Sequence, residues 1–161
     1  MPINLGERTC GDGAPCLVIA EIGSNHDGSL ERALALVDVA ARAGADAVKF
    51  QSFRAATLLA RRRPAPGGGW QPAPAYPTLE RLELRADWHA PLRDRARARG
   101  LVFLSTPFDE ERATLLAALG VPAFKVASGD LTHVPLLRRI GSFGRPVLLS
   151  TGLATPEEVD A

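Results

Sequence analysis

Residues 44–51 read Gly-Ala-Asp-Ala-Val-Lys-Phe-Gln, a short apolar run that carries one lysine, Lys49, near its end. The run follows a turn residue and is too short for a typical helix, so the pattern predicts a buried strand. A charged ammonium group inside such a strand costs free energy unless it meets an anion. We therefore expect Lys49 to have an anionic partner, which is either a ligand or an acidic side chain.

A second lysine, Lys125, lies in a similar run at residues 123–130, Ala-Phe-Lys-Val-Ala-Ser-Gly-Asp. Lysine and arginine together number 19, and the other 17 are arginines. A compact ammonium group suits a phosphate or carboxylate oxygen in a confined site, where a planar guanidinium group fits less well. The two lysines therefore predict an anionic ligand; the alternative is that each forms a structural ion pair.

Strand and helix patterns alternate along the chain around these two runs. The first helix pattern has Ser29 as its N-cap and Gly44 after its last turn. Such alternation predicts an α/β fold with parallel strands joined by helical crossovers. The predicted strands are residues 17–22, 47–51, 101–105, 123–127 and 146–150, and the predicted helices are about 30–43, 87–99, 109–119 and 135–140, with a last helix after Thr155.

Two segments lie outside this regular pattern. Residues 1–16 are expected to form an N-terminal extension, and residues 17–161 one α/β domain. Residues 61–76 contain several prolines and three consecutive glycines, which predicts a long mobile loop. A lid over the strand ends and a flexible insertion are both compatible with that composition.

Composition excludes several classes of protein. The net charge is +1, which gives no overall preference for nucleic acid or anionic membranes. No apolar run approaches the roughly 20 residues of a transmembrane helix, and no signal-peptide pattern opens the chain, so a cytoplasmic location is expected. Cys10 and Cys16 are expected to be free thiols, with a small disulfide-closed loop as the alternative.

Polar residues cluster at the C-terminal end of each predicted strand, which is the ligand-binding edge of parallel α/β folds. Strand periodicity places Lys49 and Gln51 on the same face. Lysines with hydroxyl groups and loop amides form phosphate sites, whereas the glycine-rich loops of nucleotide-binding folds are missing. The clustered residues are Glu21, Lys49, Gln51, Ser105, Thr106, Lys125, Ser128, Asp130, Ser150 and Thr151.

Five of these segments, in this order and spacing, resemble the N-acetylneuraminate (sialic acid) synthase family. The resemblance implies a (β/α)8 TIM barrel, of which this chain supplies about the first five βα units as a partial barrel. The segments are Ala-Glu-Ile-Gly-Ser-Asn-His-Asp-Gly at 20–28, Gly-Ala-Asp-Ala-Val-Lys-Phe-Gln at 44–51, Ser-Thr-Pro-Phe-Asp at 105–109, Phe-Lys-Val-Ala-Ser-Gly-Asp-Leu at 124–131 and Leu-Ser-Thr-Gly at 149–152.

The resemblance also implies an activity. Members of the family condense phosphoenolpyruvate with an N-acetylhexosamine, such as N-acetylmannosamine, to give a nonulosonic acid and phosphate by C–O cleavage. A divalent metal, Mn²⁺ or Mg²⁺, assists by polarising the sugar aldehyde. The metal-binding histidines of the family lie on later strands, so the metal ligands are expected from a C-terminal part that this chain lacks, and no metal ligand is assigned here.

The resemblance carries roles over to individual residues. Glu21, Lys49 and Lys125 are the expected catalytic residues, with the lysines holding the carboxylate and phosphate of phosphoenolpyruvate and Glu21 near the reacting carbons. His26 has either a structural role in the first turn or a ligand role. The expected substrate-binding residues are Gln51, Thr106, Ser128, Asp130 and Ser150.

Other readings of the sequence remain open. The chain looks truncated, so one alternative is a non-catalytic anion-binding fragment, or a half-barrel that requires a partner. That partner would be a second copy in a homo-oligomer or a complementing C-terminal chain, because a partial barrel leaves strand edges unpaired. A 3-deoxy sugar acid synthase is a further alternative with related chemistry.

Overall fold

The computed structural model describes residues 2–152 and 154–160 as an α/β fold. Two 3₁₀ turns, at Ala86–Trp88 and Ser128–Asp130, interrupt the regular elements. The strands are β1 (Ile3–Leu5), β2 (Arg8–Cys10), β3 (Ile19–Gly23), β4 (Ala47–Ser52), β5 (Arg62–Pro64), β6 (Trp70–Pro72), β7 (Val102–Pro107), β8 (Phe124–Val126) and β9 (Val147–Leu149). The helices are α1 (Leu30–Arg42), α2 (Ala55–Leu58), α3 (Tyr76–Arg81), α4 (His89–Ala98), α5 (Glu110–Leu119), α6 (Val134–Gly141) and α7 (Pro156–Asp160).

Strands β3, β4, β7, β8 and β9 follow one another in chain order, and each hydrogen-bonded pair among them is parallel. Strands β3, β4 and β7 form one hydrogen-bonded sheet, and β8 pairs with β9. Strand β8 packs alongside β7, so the two sheets are neighbours. All five predicted strands are therefore present, with ends that differ by a few residues, and helical segments connect them as predicted.

Local signals explain where helix α1 begins and ends. The Ser29 hydroxyl accepts a hydrogen bond from the amide of Arg32 at 3.2 Å, as expected of an N-cap. Gly44 follows the last turn with φ +80°, a conformation that costs glycine little. The face that packs on the sheet consists of small and branched residues, Ala33, Val37 and Ala40, which are all buried.

The larger core lies between the strands and the helices. Along β4, side chains that belong to this core alternate with side chains on the opposite face of the sheet, as the strand period of two requires. Phe50 and Phe103 are tilted against each other with their ring centroids 5.8 Å apart. Each such buried side chain contributes about 1.5–3 kcal/mol to stability, so this layer fixes how the strands sit.

The opposite, inner face of the strands has an apolar layer near their N-terminal ends. Ala47, Leu104 and Ala123 form this layer together with Leu5, which is 1% exposed. Leu5 belongs to the antiparallel β1–β2 hairpin. The segment predicted as an N-terminal extension therefore packs against the strands and closes this end of the inner face.

The segment predicted as a long mobile loop contains a short hairpin. Strands β5 and β6 pair as an antiparallel hairpin, and Gly68 and Gly69 adopt φ +91° and +76° in its turn. Below the hairpin, Arg61 Nε donates to the hydroxyl of Tyr76, at the start of α3, at 3.0 Å. This hairpin depends on a glycine turn that the composition of the segment alone does not reveal.

The cysteines, the start of the last helix and the length of the helices were also predicted from the sequence. Cys10 and Cys16 are both free, which confirms the thiol prediction. Thr155 caps α7: its hydroxyl accepts from the amide of Glu158 at 3.3 Å, and the Glu158 carboxylate accepts from the Thr155 amide at 2.8 Å. Within residues 2–152 and 154–160, no helix combines the length and apolar character needed to cross a bilayer.

A chain of buried polar groups ties α4 to the sheet. His89 Nδ1 lies 2.9 Å from the carbonyl oxygen of Arg85, which can only accept, so the ring donates there. Its Nε2 then accepts from the hydroxyl of Ser52 at 2.7 Å, and Ser52 accepts from Ser105 at 2.6 Å. Burial is the main reason that the pKa of His89 falls from 6.5 to about 4, so the ring is neutral at pH 7.

This histidine should make stability depend on pH. Between pH 6.5 and 4, His89 binds a proton in the unfolded chain but stays neutral in the folded chain. The contribution of His89 is therefore complete above pH 6.5 and is lost as the pH falls through 4. It amounts to about 3 kcal/mol, since one pKa unit corresponds to about 1.4 kcal/mol.

Urea unfolding of the chain at several pH values between 7 and 4 measures this effect. We expect His89→Asn to lower stability at pH 7 and to flatten its decline towards pH 4. His133→Asn is the matched control, because His133 is exposed and caps α6, a role that asparagine also fills. An unchanged pH dependence in His89→Asn would contradict the assignment.

Candidate active site

The polar layer of the inner face begins with a pair of charges on β3 and β4. Glu21 and Lys49 are direct neighbours in the parallel register, and the Lys49 ammonium forms an ion pair with the Glu21 carboxylate. The Lys49 side chain is 14% exposed and that of Glu21 is 46% exposed. One of the two lysines thus has a carboxylate partner, as the structural ion-pair alternative predicts.

Lys125 on β8 has a different environment. Its ammonium group donates to the carbonyl oxygen of Val126 and to the hydroxyl of Ser150, which directly follows β9. The Ser150 amide also donates to the Val126 carbonyl at 3.1 Å. Within the described part of the chain, no carboxylate oxygen lies close enough to the Lys125 ammonium to form an ion pair.

The two lysines lie close enough to influence each other. The pKa of Lys125 is lowered, first by burial and next by the positive charge of Lys49, while Glu21 and Asp130 act in the opposite direction. Two ammonium groups in a partly dry site repel each other, and an anion placed between them relieves that repulsion. The charges of the two lysines thus favour an anionic ligand.

Asp130 lies at the edge of the same site. It ends the 3₁₀ turn after β8, and burial raises the pKa of its carboxyl group, against the opposing charges of His133 and Lys125. Its Oδ2 atom is buried and has no hydrogen-bond partner among the described residues. An oxygen in that position can bind a donor group of a ligand, such as a sugar hydroxyl.

The positions of the remaining predicted residues follow from strand register and from the 3₁₀ turn after β8. Gln51 and Thr106 are register partners on β4 and β7, and Thr106 is only 3% exposed. Ser128 is half-buried at the start of the 3₁₀ turn that ends in Asp130. Direct side-chain contacts therefore link Glu21 to Lys49 and Lys125 to Ser150, while the other predicted residues are grouped by neighbouring strand ends and by charge.

Ser105 does not belong to this site, although the sequence grouped its hydroxyl with the others. It lies on the helix-facing side of β7, fully buried, where it donates to Ser52. The strand period of two decides the matter, because Thr106 faces the inner side with Gln51 and its neighbour Ser105 must face the opposite way.

His26 has a structural environment. It is fully buried, its Nδ1 accepts from the amide of Gly28 at 3.2 Å, and its ring packs edge-on against Trp88 with centroids 5.9 Å apart. Burial also lowers the pKa of the ring. Of the two alternatives for His26, the contacts correspond to the structural one, in which the ring shapes the turn after β3.

Gly23 is a site residue that the sequence reasoning missed. Its φ is +57°, and the parallel register shifts between Glu21 and Gly23. A Cβ atom at this position would lie 3.0 Å from Glu21 Oε1 and 3.7 Å from Gln51 Nε2. The absence of a side chain therefore leaves space beside the Glu21 carboxylate; the glycine two residues after Glu21 was the available signal.

A metal site is not built by these residues. Across residues 2–152 and 154–160, no three His, Cys, Asp or Glu side chains are grouped in a way that could hold a metal ion. The donor set of the site, which consists of ammonium groups, hydroxyls and a paired carboxylate, suits an anion instead. The residues present thus do not fit a metal centre by themselves.

A cavity of about 820 Å³ lies at the opposite end of the strands, between the β1–β2 turn and the ends of α4 and α5. Arg93, on its wall, donates to the carbonyl oxygen of Leu119 at 3.0 Å. Such an arginine completes the hydrogen bonding of a helix C-terminus. This cavity lies away from the two lysines and is not the candidate site.

The chain is similar to proteins whose names concern sugar acids and spore coats. It is 40% identical over 159 residues to the spore coat polysaccharide biosynthesis protein SpsE of Bacillus subtilis, covering 96% of this chain and 42% of that protein. It is 39% identical over 162 residues to N,N'-diacetyllegionaminic acid synthase of Legionella pneumophila, covering 96% of this chain and 44% of that enzyme. The chain thus spans less than half the length of both relatives.

The fold has a close counterpart among solved structures. The N-acetylneuraminic acid synthetase of Leptospira borgpetersenii, solved in complex with citrate, superposes with a TM-score of 0.88 at 31% identity, covering 99% of this chain and 53% of that one. The family model that matches residues 36–161 is that of the NeuB family. Together these matches show that the chain belongs to the NeuB family.

Proposed function

We propose that this chain is the phosphoenolpyruvate-binding part of a sialic-acid-type synthase. The observation that supports this most directly is the convergence of Lys49 and Lys125 on one face of the strand ends. Phosphoenolpyruvate carries a carboxylate and a phosphate, both attached to carbon 2. Two neighbouring ammonium groups can bind these two anionic groups, and their mutual repulsion is then relieved. The legionaminic acid synthase among its relatives supports the same chemistry.

In this proposal the two lysines hold the two anionic groups of phosphoenolpyruvate. The Ser150 hydroxyl, which contacts the Lys125 ammonium, and the hydroxyls of Thr106 and Ser128 donate further hydrogen bonds to them. Preorganised donors of this kind stabilise charge throughout a reaction, because they do not need to reorient.

The proposed reaction forms one carbon–carbon bond, forms one carbon–oxygen bond to water and breaks the carbon–oxygen bond to phosphate. Carbon 3 of phosphoenolpyruvate attacks the sugar aldehyde, whose oxygen takes up a proton, and positive charge develops at carbon 2. Water adds to carbon 2 and loses a proton; the resulting hydroxyl group then loses its second proton to form the ketone as phosphate leaves with its bridging oxygen. Glu21 is paired with Lys49 in the unliganded chain, so its carboxylate lies at this site and can orient that water or stabilise the cationic centre.

The sugar is proposed to be an N-acetylhexosamine, N-acetylmannosamine or a related amino sugar. The carboxylate of Asp130 is the group proposed to bind its hydroxyls. Proteins similar to this chain are named for a legionaminic acid and for a spore coat polysaccharide. This variety supports the class of the sugar, but not one particular sugar.

We also propose that a divalent metal ion, Mn²⁺ or Mg²⁺, takes part through ligands that other parts of the protein supply. The described residues of this chain do not form a metal centre. The steps proposed for this chain's own residues are the binding of the two substrates, the orientation of water and the stabilisation of the cationic centre.

A partner for the open strands is part of the proposal. Strands β3 and β9 each lack a neighbour on one side among the described residues, and Val147 and Leu149 are each 42% exposed. Further barrel strands would cover these edges, supplied by a second copy of the chain or by a complementing C-terminal chain. A chain that binds anions but needs such a partner for catalysis is the second candidate function.

Phosphate release tests the proposed function and separates the two candidates. Phosphoenolpyruvate labelled with ¹⁸O at its bridging oxygen is incubated with the chain, Mn²⁺ and a panel of amino sugars. Sugar-dependent release of phosphate that contains the label supports the synthase with C–O cleavage. Saturable binding of phosphoenolpyruvate without any release supports the partner-requiring anion binder, and release of unlabelled phosphate contradicts the mechanism.

A further inference from the structure

The two members of the Glu21–Lys49 ion pair differ in how firmly they are held. The Lys49 side chain is 14% exposed and projects from the middle of β4, which has hydrogen-bonded neighbours on both sides. Glu21 is on strand β3, at one side of the three-stranded sheet, and its side chain is 46% exposed. If the pair separates, the carboxylate is the partner that is free to move.

The backbone next to Glu21 provides a place for the carboxylate to go. Because Gly23 has no side chain, the space beside Glu21 Oε1 is open, and the amide nitrogen of Gln51 lies on the same side of that space. The left-handed φ of Gly23 and the register shift between Glu21 and Gly23 both belong to this local arrangement. A carboxylate that leaves the Lys49 ammonium therefore has the Gln51 amide as a neighbouring donor.

The charge of Glu21 opposes the binding of an anion at the lysines. Its carboxylate takes up hydrogen-bond donors of Lys49 and also acts electrostatically on Lys125. A phosphoenolpyruvate molecule that binds Lys49 must compete with this internal anion, and it is also repelled by it.

We propose that Glu21 is an exchangeable counter-ion of Lys49. Phosphoenolpyruvate takes over the Lys49 ammonium, and the Glu21 carboxylate moves into the space beside Gly23 and accepts from the Gln51 amide. This inference rests on the proposed function, since phosphoenolpyruvate is the competing anion. It assigns Glu21 a role in regulating substrate affinity and Gly23 a positioning role.

Calorimetric titration of phosphoenolpyruvate into the 161-residue chain tests the exchange. Glu21→Gln keeps the shape of the side chain and removes its charge, so we expect phosphoenolpyruvate to bind about 5- to 10-fold more tightly, the effect of a partly exposed ion pair. Glu7→Gln is the matched control, because Glu7 is exposed in the β1–β2 turn at the other end of the strands; its affinity should equal that of the original chain.

Gly23→Ala provides a second variant with the opposite sign. Its added methyl group would lie 3.0 Å from Glu21 Oε1 and 3.7 Å from Gln51 Nε2, in the space that the moving carboxylate needs, so binding should weaken by about 5-fold or more. In the double variant Glu21→Gln with Gly23→Ala, most of this loss should disappear. A loss of the same size in both backgrounds means that Gly23 acts on the fold alone and overturns its positioning role.

The results also separate this inference from the proposed function. If phosphoenolpyruvate binds and Lys125→Met abolishes that binding, but Glu21→Gln binds no more tightly, the exchange is wrong and the anion site stands. If the original chain does not bind phosphoenolpyruvate at all, the proposed function fails and the exchange fails with it. A melting temperature for Glu21→Gln within a few degrees of the original confirms that the comparison is between folded chains.

Discussion

Replacing Lys125 with methionine should abolish measurable binding of phosphoenolpyruvate. The Lys125 ammonium is half-buried, holds the Ser150 hydroxyl, and has no carboxylate partner within 4.0 Å among the described residues, so its charge is available to a ligand. The loss of a charge-assisted contact in such a site costs about 3 kcal/mol or more, which corresponds to at least about 100-fold in affinity. Isothermal titration calorimetry of the chain with phosphoenolpyruvate measures the change.

The same substitution should leave the unliganded fold at least as stable. Burial and the charge of Lys49 both lower the pKa of Lys125, which means that the folded chain disfavours this ammonium group. Methionine keeps the length of the side chain without that cost. Arg42→Met is the control for charge, because Arg42 is exposed in the last turn of α1 and should bind phosphoenolpyruvate as before. Equal affinity in Lys125→Met would exclude the lysine site.

Replacing Lys49 with methionine should have an effect of similar size, for a different reason. The substitution removes one cation and leaves the Glu21 carboxylate without its ion-pair partner. That carboxylate then repels the incoming anion at short range, so affinity should fall at least about 100-fold.

A double-mutant cycle separates the two contributions. Adding Glu21→Gln to Lys49→Met removes the unpaired carboxylate and should recover part of the lost affinity. Full additivity of the two substitutions would show that Glu21 and Lys49 do not influence each other during binding. Thermal melts of all four chains show whether the folded state survives each change.

Much of this architecture could be predicted because the strands carry strong local signals. The runs around Lys49 and Lys125 are apolar, short and bounded by turn residues, and each forms the predicted strand. The alternation of strands and helices predicted the parallel order, and polar residues at the strand ends predicted the edge at which the site lies. These features depend on periodicity and on the chain direction, both of which a sequence contains.

Features that depend on neighbouring strands were harder to predict. The Glu21–Lys49 ion pair depends on the register between β3 and β4, which no single segment specifies. Ser105 and Thr106 are adjacent, so they face opposite sides of the sheet. The sequence did not show which of the two faces the helices. The β5–β6 hairpin depends on its glycine turn and on the contact between Arg61 and Tyr76, which lie 15 positions apart.

The two lysines allow one direct test of the anion site. Because Lys49 and Lys125 are the only lysines in the chain, selective ¹³C and ¹⁵N labelling of lysine yields side-chain NMR signals from these two residues alone. Lys49→Met assigns them. We expect both signals to shift in a saturable manner when phosphoenolpyruvate is added, and to shift far less with an uncharged analogue. If neither signal moves while phosphoenolpyruvate is in large excess, the lysine pair is not the phosphoenolpyruvate site.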